Sequence, residues 1–144
     1  MQRHKISGIV HIILEKNNQL LLQRRFNTGF EDGNYDFVSG HLDKNESFKE
    51  AAIRETKEEV GVNVKEEDLK LVHVQSRINS GHERIALFFK TNKWQGEPKI
   101  MEPNKCDELK WFDKNKIPKN TINFVKVALE KIEKKELYGE WGWD

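Results

Sequence analysis

The sequence has one cysteine, Cys106, in 144 residues. No disulfide can form within the chain, which fits a reducing compartment. It has no surplus of charge of either sign: 25 Lys and Arg stand against 24 Asp and Glu, for a net charge of +1. Proteins that work on long nucleic acids usually carry a basic surplus, so no such partner is expected. It also lacks a long hydrophobic run. The apolar stretch at residues 9–14 contains His11 and is far shorter than the ~18 residues of a membrane span. Arg3, His4 and Lys5 precede it, but no small-residue cleavage site follows, so it reads as a buried strand. A cytoplasmic protein with no membrane partner is expected. No G-x4-G-K-[ST] loop is present, which excludes a P-loop NTPase, and no G-x-G-x-x-G either. None of the five histidines (His4, His11, His41, His73, His82) forms an H-x3-H zinc pair.

What is present suits one domain, residues 1–144, with a single core. Eight Phe, four Trp and many Ile, Leu and Val can fill that core, although 34% of the chain is charged. No repeat, low-complexity tract or linker divides it. Residues 6–14 and 20–22 predict strands joined over Asn17-Asn18 as a hairpin. Residues 26–34, with Thr28-Gly29 and Asp32-Gly33, predict a loop, and residues 35–38 a short extended piece. Strands are predicted over 69–77 and 85–90, joined around Ser80-Gly81, and over 109–112. Apolar residues at Ile122, Val125, Val127, Leu129 and Ile132 predict a helix over 121–135. Hairpins combined with two helices predict an α/β chain with a mixed sheet covered by helices.

Residues 47–60 predict the other helix. Ser47 and Glu50 match an S-x-x-E capping box, and Gly61 supplies a left-handed stop. At ~100° per residue, Glu55, Glu58 and Glu59 share one arc. As i, i+3 and i+4 neighbours their carboxylates lie side by side and repel. A bound divalent cation would relieve that repulsion, and oxygen-only ligands select Mg²⁺, with Mn²⁺ as a substitute. Ala52, Ile53, Thr56 and Val60 lie on the neighbouring arc, which would dock on the sheet. Arg54 is four residues before Glu58 and could hold a carboxylate in place. Paired glutamates on a helix are usually only a solvated face, but here they belong to a longer pattern.

Residues 40–62 read GHLDKNESFKEAAIRETKEEVGV. Gly40, Glu46, Arg54, Glu55, Thr56, Glu58, Glu59, Gly61 and Val62 resemble the Nudix box, G-x5-E-x7-R-E-U-x-E-E-x-G-U, where U is bulky and apolar. The one departure is Thr56, which keeps a β-branch and a methyl. Residues 35–40 resemble the strand leading into the box, with Val-Ser-Gly in place of the frequent Pro-Gly-Gly. Trp94-Gln95-Gly96-Glu97-Pro98, Glu102-Pro103-Asn104-Lys105-Cys106 and Trp111-Phe112 look like the later half of MutT-like members.

The resemblance implies the Nudix fold, an α/β/α sandwich with a mixed sheet and the box as a loop and helix. It implies hydrolysis of a nucleoside diphosphate linked to another group. It also implies roles. Glu55, Glu58 and Glu59 would bind metal, with the backbone carbonyl of Ser39 touching it. Glu46 and Arg54, with Gly40 and Gly61, would fix the loop and helix behind them. Glu102 matches a position where some relatives carry a base or further metal ligand, and it is equally readable as an exposed loop carboxylate. Glu58 or Glu59 is the alternative base. His41, Arg24 and Arg25 could touch phosphate or simply be solvated.

The ADP-ribose subgroup tends to have a proline about 15 residues after the box, and the dinucleoside polyphosphate subgroup a tyrosine in a similar region. The only prolines are Pro98, Pro103 and Pro118, and the only tyrosines Tyr35 and Tyr138, so both marks are absent. By elimination the expected activity is that of a MutT-like nucleoside triphosphate pyrophosphatase. The alternatives are a nucleotide sugar, ADP-ribose or an RNA 5′ end as substrate, or a domain that senses a nucleotide without cleaving it. The expected partner is a small nucleotide, bound by a monomer or a homodimer. The aromatic tail, Tyr138 to Trp143, is expected to pack on the domain.

Overall fold

The computed structural model describes residues 2–144. Its strands are β1 (Ser7–Lys16), β2 (Gln19–Arg25), β3 (Tyr35–Asp36), β4 (Val38–His41), β5 (Lys70–Asn79), β6 (His82–Thr91), β7 (Cys106–Asp113) and β8 (Tyr138–Trp141). Its helices are α1 (Phe48–Val60) and α2 (Asn123–Glu133). The strands run in the order β3-β2-β1-β6-β5-β8, with β4 also on β1 and β7 also on β2. The β1–β6 and β5–β8 pairs are parallel and the other pairs antiparallel, so the sheet is mixed, as expected.

The turns follow from residues that accept left-handed backbone. Asn17 (φ 52°) and Asn18 (φ 62°) close the β1–β2 hairpin. Two successive positive φ angles match the twist of the flanking strands. Ser80 (φ 52°) and Gly81 (φ 79°) do the same between β5 and β6.

Alternation along β1 divides the molecule into two cores. Val10, Ile12 and Leu14 face α1, with Ala51, Ala52 and Val60. Ile9 and Ile13 face α2, with Phe88, Phe124, Val125 and Ala128. Val10, Ile12, Ile13 and Leu14 are each no more than 2% exposed. Burial at this level contributes about 1.5–3 kcal/mol per large aliphatic side chain. One helix on each face of the sheet makes the α/β/α sandwich.

The expected capping box is formed. Ser47 Oγ accepts from Glu50 N–H at 3.1 Å and the Glu50 carboxylate accepts from Ser47 N–H at 2.9 Å. Gly61 ends α1 at φ 74°. Thr56, the departure from the box, is fully buried, and its hydroxyl donates to Ala52 O at 2.7 Å. The polar atom is thereby satisfied inside an apolar seam.

The second helix is shorter than 121–135, because residues 121 and 122 belong to the preceding turn: Thr121 Oγ1 donates to Pro118 O at 2.8 Å. The tail does more than pack. Trp141 sits edge-on to Phe124 at 5.6 Å, as expected of a packed aromatic, and residues 138–141 also form β8 beside β5. Among the described residues no helix is long and apolar enough to cross a membrane.

Candidate active site

The outward face of α1 carries the acidic cluster, and Arg54 organises it. Its Nε and Nη2 donate to the two oxygens of Glu46 at 2.7 and 2.9 Å, a bidentate clamp. Nη2 also donates to His41 O at 3.0 Å, while Nη1 donates to Glu55 and, at 3.2 Å, to Glu58. One guanidinium thus joins the box loop to the box helix. The clamp holds Glu46 below the usual carboxylate range and raises Arg54 above its ordinary value.

Glu59 points inward. It accepts from Gln23 Nε2 at 2.5 Å and from Ser39 N–H at 3.3 Å. Burial, then a hydrogen bond and repulsion from Glu55, push it well above its ordinary value. Glu58 is raised for the same reasons in smaller measure, and Glu102 contributes to its repulsion. Gly40 makes room for this crowding: a β-carbon there would lie 1.9 Å from Glu55 Oε2.

These residues line one cleft of about 230 Å³. Its lining holds four carboxylates, Glu55, Glu58, Glu59 and Glu102, and three cations, Arg24, Arg25 and Lys105, with Gln23, Thr28, Ser39 and Cys106. Glu102 arrives because its loop seals the end of α1. Lys99 N–H donates to Val60 O at 3.0 Å and Met101 N–H to Glu59 O at 3.2 Å, taking carbonyls the helix leaves free.

The donor set fits a hard divalent cation. It is all oxygen, and two of its carboxylates are raised by burial and then by repulsion from Glu55, both of which a cation would offset. As the side chains stand, no group of three or more His, Cys, Asp or Glu among the described residues is arranged to hold a metal ion. Arg54 instead engages Glu55 and Glu58.

Most of the residues singled out from sequence meet here: Ser39, Glu55, Glu58, Glu59 and Glu102 line the cleft, and Gly40, Glu46, Arg54 and Gly61 lie behind it. Arg24 is paired with Asp107 and Glu108 at 2.8 and 3.0 Å. Arg25 is committed to the 26–34 loop, donating to Phe30 O and Thr28 Oγ1. His41 contributes its carbonyl to Arg54. Gln23 and Lys105 were not anticipated. Alternation from Leu21, which faces α1, would have placed Gln23 on the same side.

The chain matches the NUDIX domain model over residues 4–131 and belongs to the Nudix hydrolases, enzymes that act on pyrophosphate bonds. Solved structures that share its fold include MutT proteins. A MutT Nudix hydrolase from Burkholderia pseudomallei superposes with a TM-score of 0.81 at 24% identity, covering 88% of this chain and 98% of that one. The MutT protein of Methanosarcina mazei gives 0.80 at 18% identity, covering 94% and 98%. In sequence, an ADP-ribose pyrophosphatase from Methanocaldococcus jannaschii is 34% identical across 80% of this chain and 66% of its own length. An NAD-capped RNA hydrolase from Pseudomonas putida is 28% identical across 79% of this chain and 39% of its own. The chain therefore spans only part of these two relatives. Members of the family typically use a divalent metal and bind small nucleotides.

Proposed function

We propose that the cleft converts a nucleoside triphosphate to its monophosphate and pyrophosphate. The observation that carries this reading is that one cleft is lined by four carboxylates together with Arg24, Arg25 and Lys105. A metal–triphosphate complex presents both matching charges, a cation for the carboxylates and phosphate oxygens for the basic side chains. Glu55, Glu58, Glu59 and the Ser39 carbonyl would hold Mg²⁺, or Mn²⁺ in its place. The ion would neutralise charge on the phosphate oxygens and make water a better nucleophile.

The chain's own residues do the rest. Arg54 fixes Glu55 and Glu58 against Glu46, so the ligands are set before substrate arrives. Glu102, on the loop that seals α1, would take a proton from the attacking water, with Glu58 or Glu59 as the alternative base. Lys105, 60% exposed and 4.0 Å from Glu102, is free to turn toward a phosphate.

The test is a panel of nucleoside triphosphates, nucleotide sugars, ADP-ribose and capped RNA with Mg²⁺, read by chromatography. A triphosphate substrate should give monophosphate and intact pyrophosphate, and free phosphate should appear only after pyrophosphatase is added. Excess chelator should abolish turnover. Release of phosphate plus nucleoside diphosphate would reject the reading. A second reading, ADP-ribose hydrolysis, is favoured by the 34% identity to an ADP-ribose pyrophosphatase. Turnover of ADP-ribose above every triphosphate would select it.

A further inference from the structure

A run of buried polar side chains passes through the α2-side core and ends at Ser39. His11, Asp36 and Arg77 are 1%, 3% and 3% exposed. Asp36 Oδ1 accepts from Phe37 N–H at 2.7 Å and lies 3.2 Å from His11 Nδ1. Its Oδ2 accepts from Ser39 Oγ at 3.0 Å. His11 Nε2 lies 3.2 Å from Arg77 Nη2. A guanidinium only donates, so Nε2 accepts, and Nδ1 carries the hydrogen given to Asp36. The imidazole is thus a neutral bridge between a buried cation and a buried anion. It is held flat on Phe88, 4.4 Å away and 8° from parallel. Arg77 is fixed from behind by Gln75 Oε1 at 3.1 Å and by the face of Phe124 at 3.7 Å.

A buried charge pair is a poor way to gain stability, because apolar residues of similar volume would usually do as well. Its placement gives it another use. Ser39 pairs with His11 across β4 and β1, and its N–H reaches Glu59. We infer that Asp36, backed by His11 and Arg77, is a positioning residue: it grips the Ser39 hydroxyl and so fixes the Ser39 backbone where it meets Glu59 and the metal. The inference rests on the metal role proposed for that cleft. Asp36 is not among the residues that line the cleft. It acts by preventing β4 from sliding or turning at its entry to the site, as outer partners of metal ligands do.

The test centres on Ser39→Ala, which cuts the link and leaves the buried charges in place, with Ser39→Thr as the conservative rescue. Mn²⁺ binding is read by EPR without substrate, melting temperature is measured in parallel, and amide exchange is followed at Ser39 and Gly40. Ser39→Ala should weaken Mn²⁺ binding about tenfold, leave the melting temperature within a few degrees, and speed exchange at both amides. Ser39→Thr should restore both. Asp36→Asn should weaken Mn²⁺ binding as Ser39→Ala does. If it fails to fold, the Ser39 pair decides alone. Wild-type Mn²⁺ affinity and wild-type exchange in Ser39→Ala would overturn the inference. If the wild-type chain binds no Mn²⁺, the metal role fails, and unchanged exchange in Ser39→Ala would overturn the grip separately.

Discussion

Gly40 owes its identity to Glu55. Its backbone is not left-handed, so conformational freedom is not the reason. The space for a β-carbon is taken by the Glu55 carboxylate, 1.9 Å from where that carbon would sit. Gly40→Ala should swing Glu55 aside, a cheap motion for the end of a flexible side chain. A displacement on the order of 1 Å at a reacting site can cost about 10²-fold in rate. We expect turnover to fall at least tenfold with little change in melting temperature, measured by steady-state kinetics beside a thermal scan. Glu58→Gln should lower turnover by orders of magnitude while folding persists, since removing one of several like charges relieves the helix. Glu97→Gln, outside the box, serves as the control and should do little. Equal losses in Glu58→Gln and Glu97→Gln would refute the division of roles.

The tail strand matters at the scale of elements, because β8 closes the molecule over His73. That side chain is fully buried, donates from Nδ1 to Glu136 O at 2.9 Å, and leaves Nε2 without a partner. A second proton would place a charged N–H against Gly139 and Lys131 with nothing to accept it. Burial accordingly holds the imidazole below its ordinary 6.5. The unfolded chain takes up this proton first as pH falls, so the stability is complete above 6.5 and is lost as pH falls through the lowered folded value. His73→Asn keeps a donor for Glu136 and does not titrate. Below pH 6.5 its denaturant midpoint should fall less steeply than that of the wild type, the remaining slope coming from other shifted groups, among them His11 and His41, which burial also lowers. Identical slopes would show that the clamp does not sense protons.

The elements differ in how far the sequence revealed them. α1 was legible to its ends, because its caps are local and its carboxylates follow helical spacing. β8 was not, because a four-residue strand with glycine inside it reads as a turn until β5 is beside it. The same division holds in the site. Glu46, Arg54, Glu55, Glu58 and Glu59 lie in one loop-helix unit whose geometry is set by spacing. Asp36, His11 and Arg77 come from β3, β1 and β5, and only the order of strands in the sheet brings them together.

On the scale of the whole molecule, β1 is the shared wall of both cores, and its long partner is β6. The pairing is parallel and joins Ser7 to Arg84. Every residue of the box lies inside the loop that this contact must close. Closing so long a loop costs entropy before any burial compensates, and such non-local pairing slows folding. Neither core is complete without β6, which supplies Ala86 and Phe88 to one and Phe89 to the other. A fragment of residues 1–65 contains the complete box, yet it should show no cooperative melt and no more than weak helix signal by circular dichroism. The most recognisable stretch of this chain should therefore not fold as an autonomous unit: its core is completed by a strand that a ribosome delivers later.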